Sequence, residues 1–160
     1  MKVKLLSEGA QVPAKATDQA AGFDLYVPNN TVINPGRNII PLDISIAIPR
    51  GLEGQIRPRS GFSAKGMEGH VYAGESSATN LSEETKRYDA DVLLGTIDSD
   101  YRGCVGVLVK SNETTPFVIA GGTRIAQLVI APYSIISMES TTTLDNTERG
   151  EGGFGHTGSK

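Results

Sequence analysis

The segment Gly95-Thr96-Ile97-Asp98-Ser99-Asp100-Tyr101-Arg102-Gly103 sets two carboxylates, a phenol and a guanidinium between glycines, ahead of the apolar run Cys104 to Val109. Asp, Ser and Gly are ordinary turn residues, so a solvated turn could have this composition. A base, an aromatic ring and a cation between Asp98 and Arg102 argue for more, because a positioned carboxylate can take a proton from a nucleophile. Other segments offer partners. Arg59-Ser60-Gly61 has a cation, a hydroxyl and free amides, the set that nests and helix starts present to phosphate oxygens. The bland alternative is a proline-led turn entering a short helix.

Gly121-Gly122-Thr123-Arg124-Ile125-Ala126-Gln127-Leu128 puts two polar side chains, Arg124 and Gln127, into an apolar strand. Buried polar groups need partners, so each meets either a ligand or an internal hydrogen bond. The tail Arg149-Gly150-Glu151-Gly152-Gly153-Phe154-Gly155-His156-Thr157-Gly158 has five glycines in nine residues, 150–158. Such a segment cannot hold a packed strand and is expected to be mobile when nothing is bound. Folded over a ligand, it could stack Phe154 on a base and bring Arg149 and Thr157 to phosphates. Asp24, beside Ala21-Gly22, could orient a hydrated metal or satisfy backbone amides. Cys104 is expected to pack as a small buried apolar residue.

The elements that must hold these groups are strands. The chain has 160 residues, enough for one domain burying roughly two-thirds of its unfolded surface. It carries 11 Val, 13 Ile and 13 Thr with 19 Gly, 8 Pro and no Trp, which favours an all-β domain with an aliphatic core. Alternation predicts strands at 2–6, 23–27, 43–48, 54–57, 104–110, 117–120, 124–131 and 135–139, with Ile44, Ile46 and Ile48 on one face. Asn34-Pro35-Gly36 and Pro49-Arg50-Gly51 are turn signals. Short strands so punctuated make a sandwich, jelly roll or barrel. Residues 1–140 read as a single domain, with 141–160 as a C-terminal arm.

Residues 66–90 break the pattern. They are polar and irregular, and five acidic against two basic residues there account for the net charge of −3. Asn80 with Glu83 predicts a short capped helix through Arg87. The remaining body is neutral, which argues against a nucleic-acid surface. Five of eight arginines lie in or beside glycine-containing segments, which suits a small polyanion. With one cysteine and two histidines, an internal disulfide is excluded and a Cys/His zinc site disfavoured. No apolar run is long enough to cross a bilayer, and Met1 to Glu8 lacks a signal-peptide core. These features predict an intracellular, cytoplasmic protein, or a viral one acting in the host cytoplasm.

In sequence order, Ala21-Gly22-Phe23-Asp24-Leu25, Pro58-Arg59-Ser60-Gly61, Gly95 to Gly103, Gly122 to Leu128 and Arg149 to Gly158 resemble the five motifs of trimeric deoxyuridine triphosphatases (dUTPases). The resemblance implies a distorted β jelly roll assembled as a homotrimer with shared sites, each closed by another copy's tail. It also implies hydrolysis of dUTP to dUMP and pyrophosphate, with Mg²⁺ on the triphosphate; this limits uracil in DNA and supplies dUMP for thymidylate synthesis. Asp98 would be the general base for water attacking the α-phosphate, and Tyr101 would close the space of a ribose 2′-hydroxyl. Arg59, Ser60, Gly61 and Gln127 would meet phosphates, while main-chain groups of Gly95, Thr96 and Ile97 would read the uracil edge. Phe154 would cover the uracil, while Arg149, Gly155, His156 and Thr157 would complete the phosphate cage. Asp24 would touch metal-bound water. Asp100 and Arg102 would be structural, ion-paired within the turn or across subunits.

Three departures stand out. The span from Arg59 to Asp98 is about twenty residues longer than the family pattern, leaving 66–90 as a tolerated loop, a trimer-stabilising element or a contact for an unknown protein partner. His156 replaces a small hydroxyl residue. Phe62 and Ser63 follow the second motif conservatively. A deoxycytidine triphosphate deaminase shares the implied fold, but it needs a glutamate near Leu108, and no acidic residue occurs from Arg102 to Asn112. A trimeric interaction protein using nucleotide as a switch is the non-enzymatic alternative.

Overall fold

A computed structural model describes residues 1–74 and 78–153. Within them the chain forms thirteen strands and one helix. In chain order these are β1 (Lys2–Leu5), β2 (Gly22–Tyr26), β3 (Thr31–Ile33), β4 (Gly36–Pro41), β5 (Ile44–Ala47), β6 (Leu52–Arg57), α1 (Ser60–Lys65), β7 (Met67–Val71), β8 (Thr85–Tyr88), β9 (Ala90–Val92), β10 (Gly95–Ile97), β11 (Gly106–Ser111), β12 (Phe117–Ile119) and β13 (Arg124–Pro132). They make four antiparallel sheets, ordered β1-β5, β10-β6-β13-β2, β4-β11-β9 and β3-β12-β7-β8. Neighbours in a sheet are mostly distant in sequence, so the chain crosses between sheets as a jelly roll does.

β-branched alternation explains the core. Ile44, Ile46 and Ile48 are all buried on one side of the β5 segment, and Val107 and Val109 do the same on β11. The other interior residues are chiefly aliphatic, among them Leu25, Ile33, Ile40, Ile119, Ile125 and Leu128, each at most 1% exposed. Gly36 and Gly51 turn the chain at φ of +84° and +86°, where a side chain would be strained.

The region 66–90 differs from its expected form. Met67–Val71 and Thr85–Tyr88 pair as an antiparallel hairpin, Met67 opposite Tyr88 and His70 opposite Thr85. There is no helix from Asn80 to Arg87, because tertiary pairing outweighs the local cap signal. Nor is this hairpin a surface appendage. β7 pairs with β12, Met67 is fully buried, and the Tyr88 ring stacks on Phe117 at 4.2 Å between centroids. Gly69 makes this possible, since a Cβ there would lie 2.7 Å from the Phe117 ring. Burial raises the Tyr88 phenol above its ordinary 10.0, against the opposing pull of the Lys86 ammonium. Between the two strands, Asn30 Nδ2 donates to the Ala78 carbonyl and His70 Nδ1 meets the Ser82 carbonyl.

The strand expected at 135–139 does not form. Ile135, Ile136 and Met138 are 64%, 71% and 90% exposed, and the segment has no strand partner among the described residues. Besides β7 and β8, the strands β3, β4, β9 and β10 also lie outside the spans that alternation marks. The strand expected from Cys104 starts at Gly106, because side-chain bonds to carbonyls keep the preceding residues in a turn.

Candidate active site

The Asp98 segment leaves β10 through a turn closed by the Tyr101 amide donating to the Asp98 carbonyl at 3.1 Å. Arg102 Nη1 donates to the carbonyls of Ser99 (2.8 Å) and Tyr101 (2.7 Å). Arg102 thus braces the turn through carbonyls: no described carboxylate pairs with it, and Asp100 is not its partner within the chain. Tyr101 Oη donates to the Cys104 carbonyl at 3.0 Å, while Ser99 Oγ and Tyr133 Oη, 3.2 Å apart, tie the turn to the residue after β13. Gly103 is needed beneath the ring, where a Cβ would collide with the Tyr101 phenol.

These bonds frame a cavity of about 330 Å³ between β10 and β11. Gly95, Thr96, Ile97, Asp98 and Tyr101 line it together, opposite Val105, Gly106 and Leu108. The volume lies at the small end for ligand pockets and suits a single nucleoside. β10 is the edge of its sheet, so its backbone groups away from β6 have no strand partner and border the cavity. Val92 is buried opposite Val109 and offers nothing polar. The Asp98 side chain is exposed and takes part in no hydrogen bond or ion pair among the described residues. It lines both this cavity and an open groove of about 1140 Å³ that also reaches Arg50, Glu53 and Tyr133.

A second group forms where β2 and β13 meet the start of α1. Gln127 pairs with Asp24 on one side and Arg57 on the other. Its Nε2 donates to the Pro58 carbonyl at 3.0 Å, so the internal hydrogen bond exists. Its side chain lies over Gly22, where a Cβ would collide with it. Asp24, 8% exposed, is held by Arg59 Nε at 3.1 Å and Arg124 Nη1 at 3.4 Å. Both carboxylate oxygens are therefore engaged by guanidiniums rather than by backbone amides. Ser60 and Gly61 are exposed at the first turn of α1. Among the described residues, no cluster of three or more His, Cys, Asp or Glu side chains could hold a metal.

The two groups lie on different strands of one sheet. Ile97 pairs with Gly54 and Gln127 with Arg57, so the groups stand two strands and three residues apart, about 14 Å at strand spacings. Arg149 is exposed, its Nε donating to the Gly152 carbonyl at 2.7 Å. Phe154, Gly155, His156 and Thr157 lie outside the described residues. The sequence reading missed Leu93, Val105 and Gly106 as cavity walls; nothing local marks them, because the cavity exists only once β10 and β11 diverge. Cys104 is half-buried at the cavity wall rather than in the core.

The dUTPase family model matches residues 8–158. This chain belongs to the dUTPase family. Among its relatives is the deoxyuridine 5′-triphosphate nucleotidohydrolase of Syntrophotalea carbinolica, 42% identical over 99% of this chain and 96% of that protein. The tomato enzyme of the same name, from Solanum lycopersicum, is 38% identical over 98% of this chain and 80% of that protein. Among solved structures, the dUTPase of Staphylococcus bacteriophage 80alpha with bound dUpNHpp superposes with a TM-score of 0.78 at 26% identity, covering 98% and 97% of the two chains. That phage protein is described as controlling transfer of virulence genes by a G protein-like mechanism. The phage φ11 dUTPase, at 23% identity and a TM-score of 0.70, is described with a structural Mg(II) ion. Membership accounts for the jelly roll and for the activity, hydrolysis of dUTP. Among the described residues, no helix is long and apolar enough to cross a membrane.

Proposed function

We propose that this dUTPase hydrolyses dUTP to dUMP and pyrophosphate by attack on the α-phosphate of a water held by Asp98. The observation that carries the reading is the place of Asp98, at the mouth of a nucleoside-sized cavity with its carboxylate uncommitted. In-line attack at phosphorus needs a base, alignment and charge neutralisation. Asp98 supplies the first. Tyr101, locked to the Cys104 carbonyl, sits where a 2′-hydroxyl would need room, and the β10 edge reads the uracil. Arg59, Ser60, Gly61 and Gln127 take the phosphates.

Gln127 stands about 14 Å in the same chain from Ile97, the neighbour of Asp98, a spacing that supports a complete site combining copies. This supports a homotrimer in which a second chain brings the phosphate group and a third its tail, with Arg149, Phe154, Gly155, His156 and Thr157. Exposed Ile135, Ile136 and Met138 are apolar surface available for that assembly. Mg²⁺ enters as part of the substrate: a cation that keeps most of its waters and binds triphosphate oxygens needs no protein cage, and Asp24 reaches it only through water.

The test is a substrate panel. Purified protein with Mg²⁺ receives dUTP, dCTP, dTTP and UTP while pyrophosphate and ammonia are measured. Pyrophosphate from dUTP alone is expected. Ammonia from dCTP would favour the deaminase, whose glutamate has no counterpart at the cavity wall because Leu108 stands there. Deleting the tail from Arg149 should lower turnover about 100-fold, as loss of a closing clamp does, with the mass by light scattering unchanged. Unaltered turnover would remove the tail from the site.

The description of the phage 80alpha protein offers a precedent for a second role beside catalysis, for which region 66–90 is the candidate contact with a protein partner. A loop-shortened variant with full dUTP turnover separates that role from hydrolysis.

A further inference from the structure

Asp24 is the most buried charged residue of the described chain at 8% exposure, and it faces two cations and no other described charge. Arg59 binds it through Nε at 3.1 Å and turns Nη1 to the Arg124 carbonyl at 3.1 Å. Arg124 reaches the same carboxylate through Nη1 alone at 3.4 Å, with its side chain 49% exposed. Each guanidinium keeps N–H groups that no described residue uses. Two guanidiniums and one carboxylate leave one net positive charge, concentrated beside Gln127 and Ser60. A guanidinium fork held at one edge is oriented at the other, which suits bidentate recognition of phosphate.

We propose that Asp24 is a positioning residue that sets Arg59 and Arg124 as a pair of phosphate-facing guanidiniums, and that Arg124 is a second cation for the triphosphate. This rests on the reading of Arg59 and Gln127 as phosphate contacts. It gives Asp24 a task that does not pass through a metal, and it gives Arg124 one beyond holding β13 to β2.

Simple charge counting and positioning differ in sign here. Removing a carboxylate beside a polyanion site should tighten binding by electrostatics alone. Loss of orientation should weaken it. The experiment measures binding of the non-hydrolysable dUpNHpp and of deoxyuridine by calorimetry, with and without Mg²⁺, for the wild type, Asp24→Asn, Arg124→Ala and Arg124→Lys. Thermal unfolding of each variant runs alongside.

For Arg124→Ala the expected result is about 10- to 100-fold weaker dUpNHpp binding with deoxyuridine affinity unchanged, the scale of a lost charged hydrogen bond. Arg124→Lys should recover part of it, since a point charge replaces a fork. Asp24→Asn should weaken dUpNHpp at least as much as Arg124→Ala, in the absence of Mg²⁺ as well as in its presence. If Asp24→Asn binds dUpNHpp more tightly, or loses affinity only when Mg²⁺ is present, the positioning role is overturned. Equal loss of dUpNHpp and deoxyuridine by Arg124→Ala would make Arg124 purely structural. Should Asp24→Asn fail to fold, the two Arg124 variants still decide whether Arg124 meets the triphosphate. Wild-type turnover of dUTP is measured in the same preparation, so failure of the hydrolysis reading shows separately from failure of this one.

Discussion

Asp98→Asn should lower kcat for dUTP by about 10³-fold while the affinity for dUpNHpp stays within about threefold, the effect of removing a general base without disturbing the pocket. The structure makes this a clean substitution. The Asp98 carbonyl, not its side chain, closes the turn with the Tyr101 amide. Arg102 and Ser99 hold the rest of the turn without touching the carboxylate. Asparagine fits the same volume and can still hold a water, but it cannot accept the proton. Single-turnover kinetics would report the chemical step, and calorimetry the affinity. An affinity loss as large as the rate loss would assign Asp98 to scaffolding and leave the base unidentified.

Different residues were legible to different degrees. Ile44, Ile46 and Ile48 announced their strand because one buried face imposes a period of two. Gly95 to Gly103 announced a site because its functional groups exceed what a turn needs. β9 and β10, at three residues each, are too short to show any period. Asn80 and Glu83 misled because a cap signal is local, whereas Met67 opposite Tyr88 is a pairing that only tertiary burial enforces. Ile135 to Glu139 reads as a strand from its apolar content, yet a strand needs a ladder partner and the described residues supply none. The Asp24 to Arg124 pair joins residues a hundred positions apart, and no spacing rule reaches that far. Hence single groups could be named from sequence, while the division of the site into two clusters needed the sheet register.

Excising residues 66–90 should leave a chain that does not fold stably, while replacing 73–82 by Asn-Gly should leave it folded. The first change removes β7 and β8 together with Ala90. It opens the void of fully buried Met67 and strips Tyr88 from the face of Phe117. Large-to-small changes at such positions cost about 2–5 kcal/mol each, and two of them approach the whole stability of a domain, about 5–15 kcal/mol. β12 also loses its ladder on that side. The second change keeps the register of Met67 to His70 with Tyr88 to Thr85 and closes it with a two-residue turn suited to an antiparallel hairpin. Among what it gives up are the Asn30 bond to Ala78, the His70 bond to Ser82 and the Glu84 amide bond to Ser82 Oγ, roughly 1 kcal/mol apiece. Urea unfolding measures both variants, and light scattering weighs the shortened one. A 66–90 deletion as stable as the parent would show that the hairpin is an appendage after all. A shortened loop that leaves a folded chain of lower mass would make the loop part of the assembly. Retained mass with full dUTP turnover leaves it free for a partner, since the core strands and the nucleotide site would then both be accounted for without it.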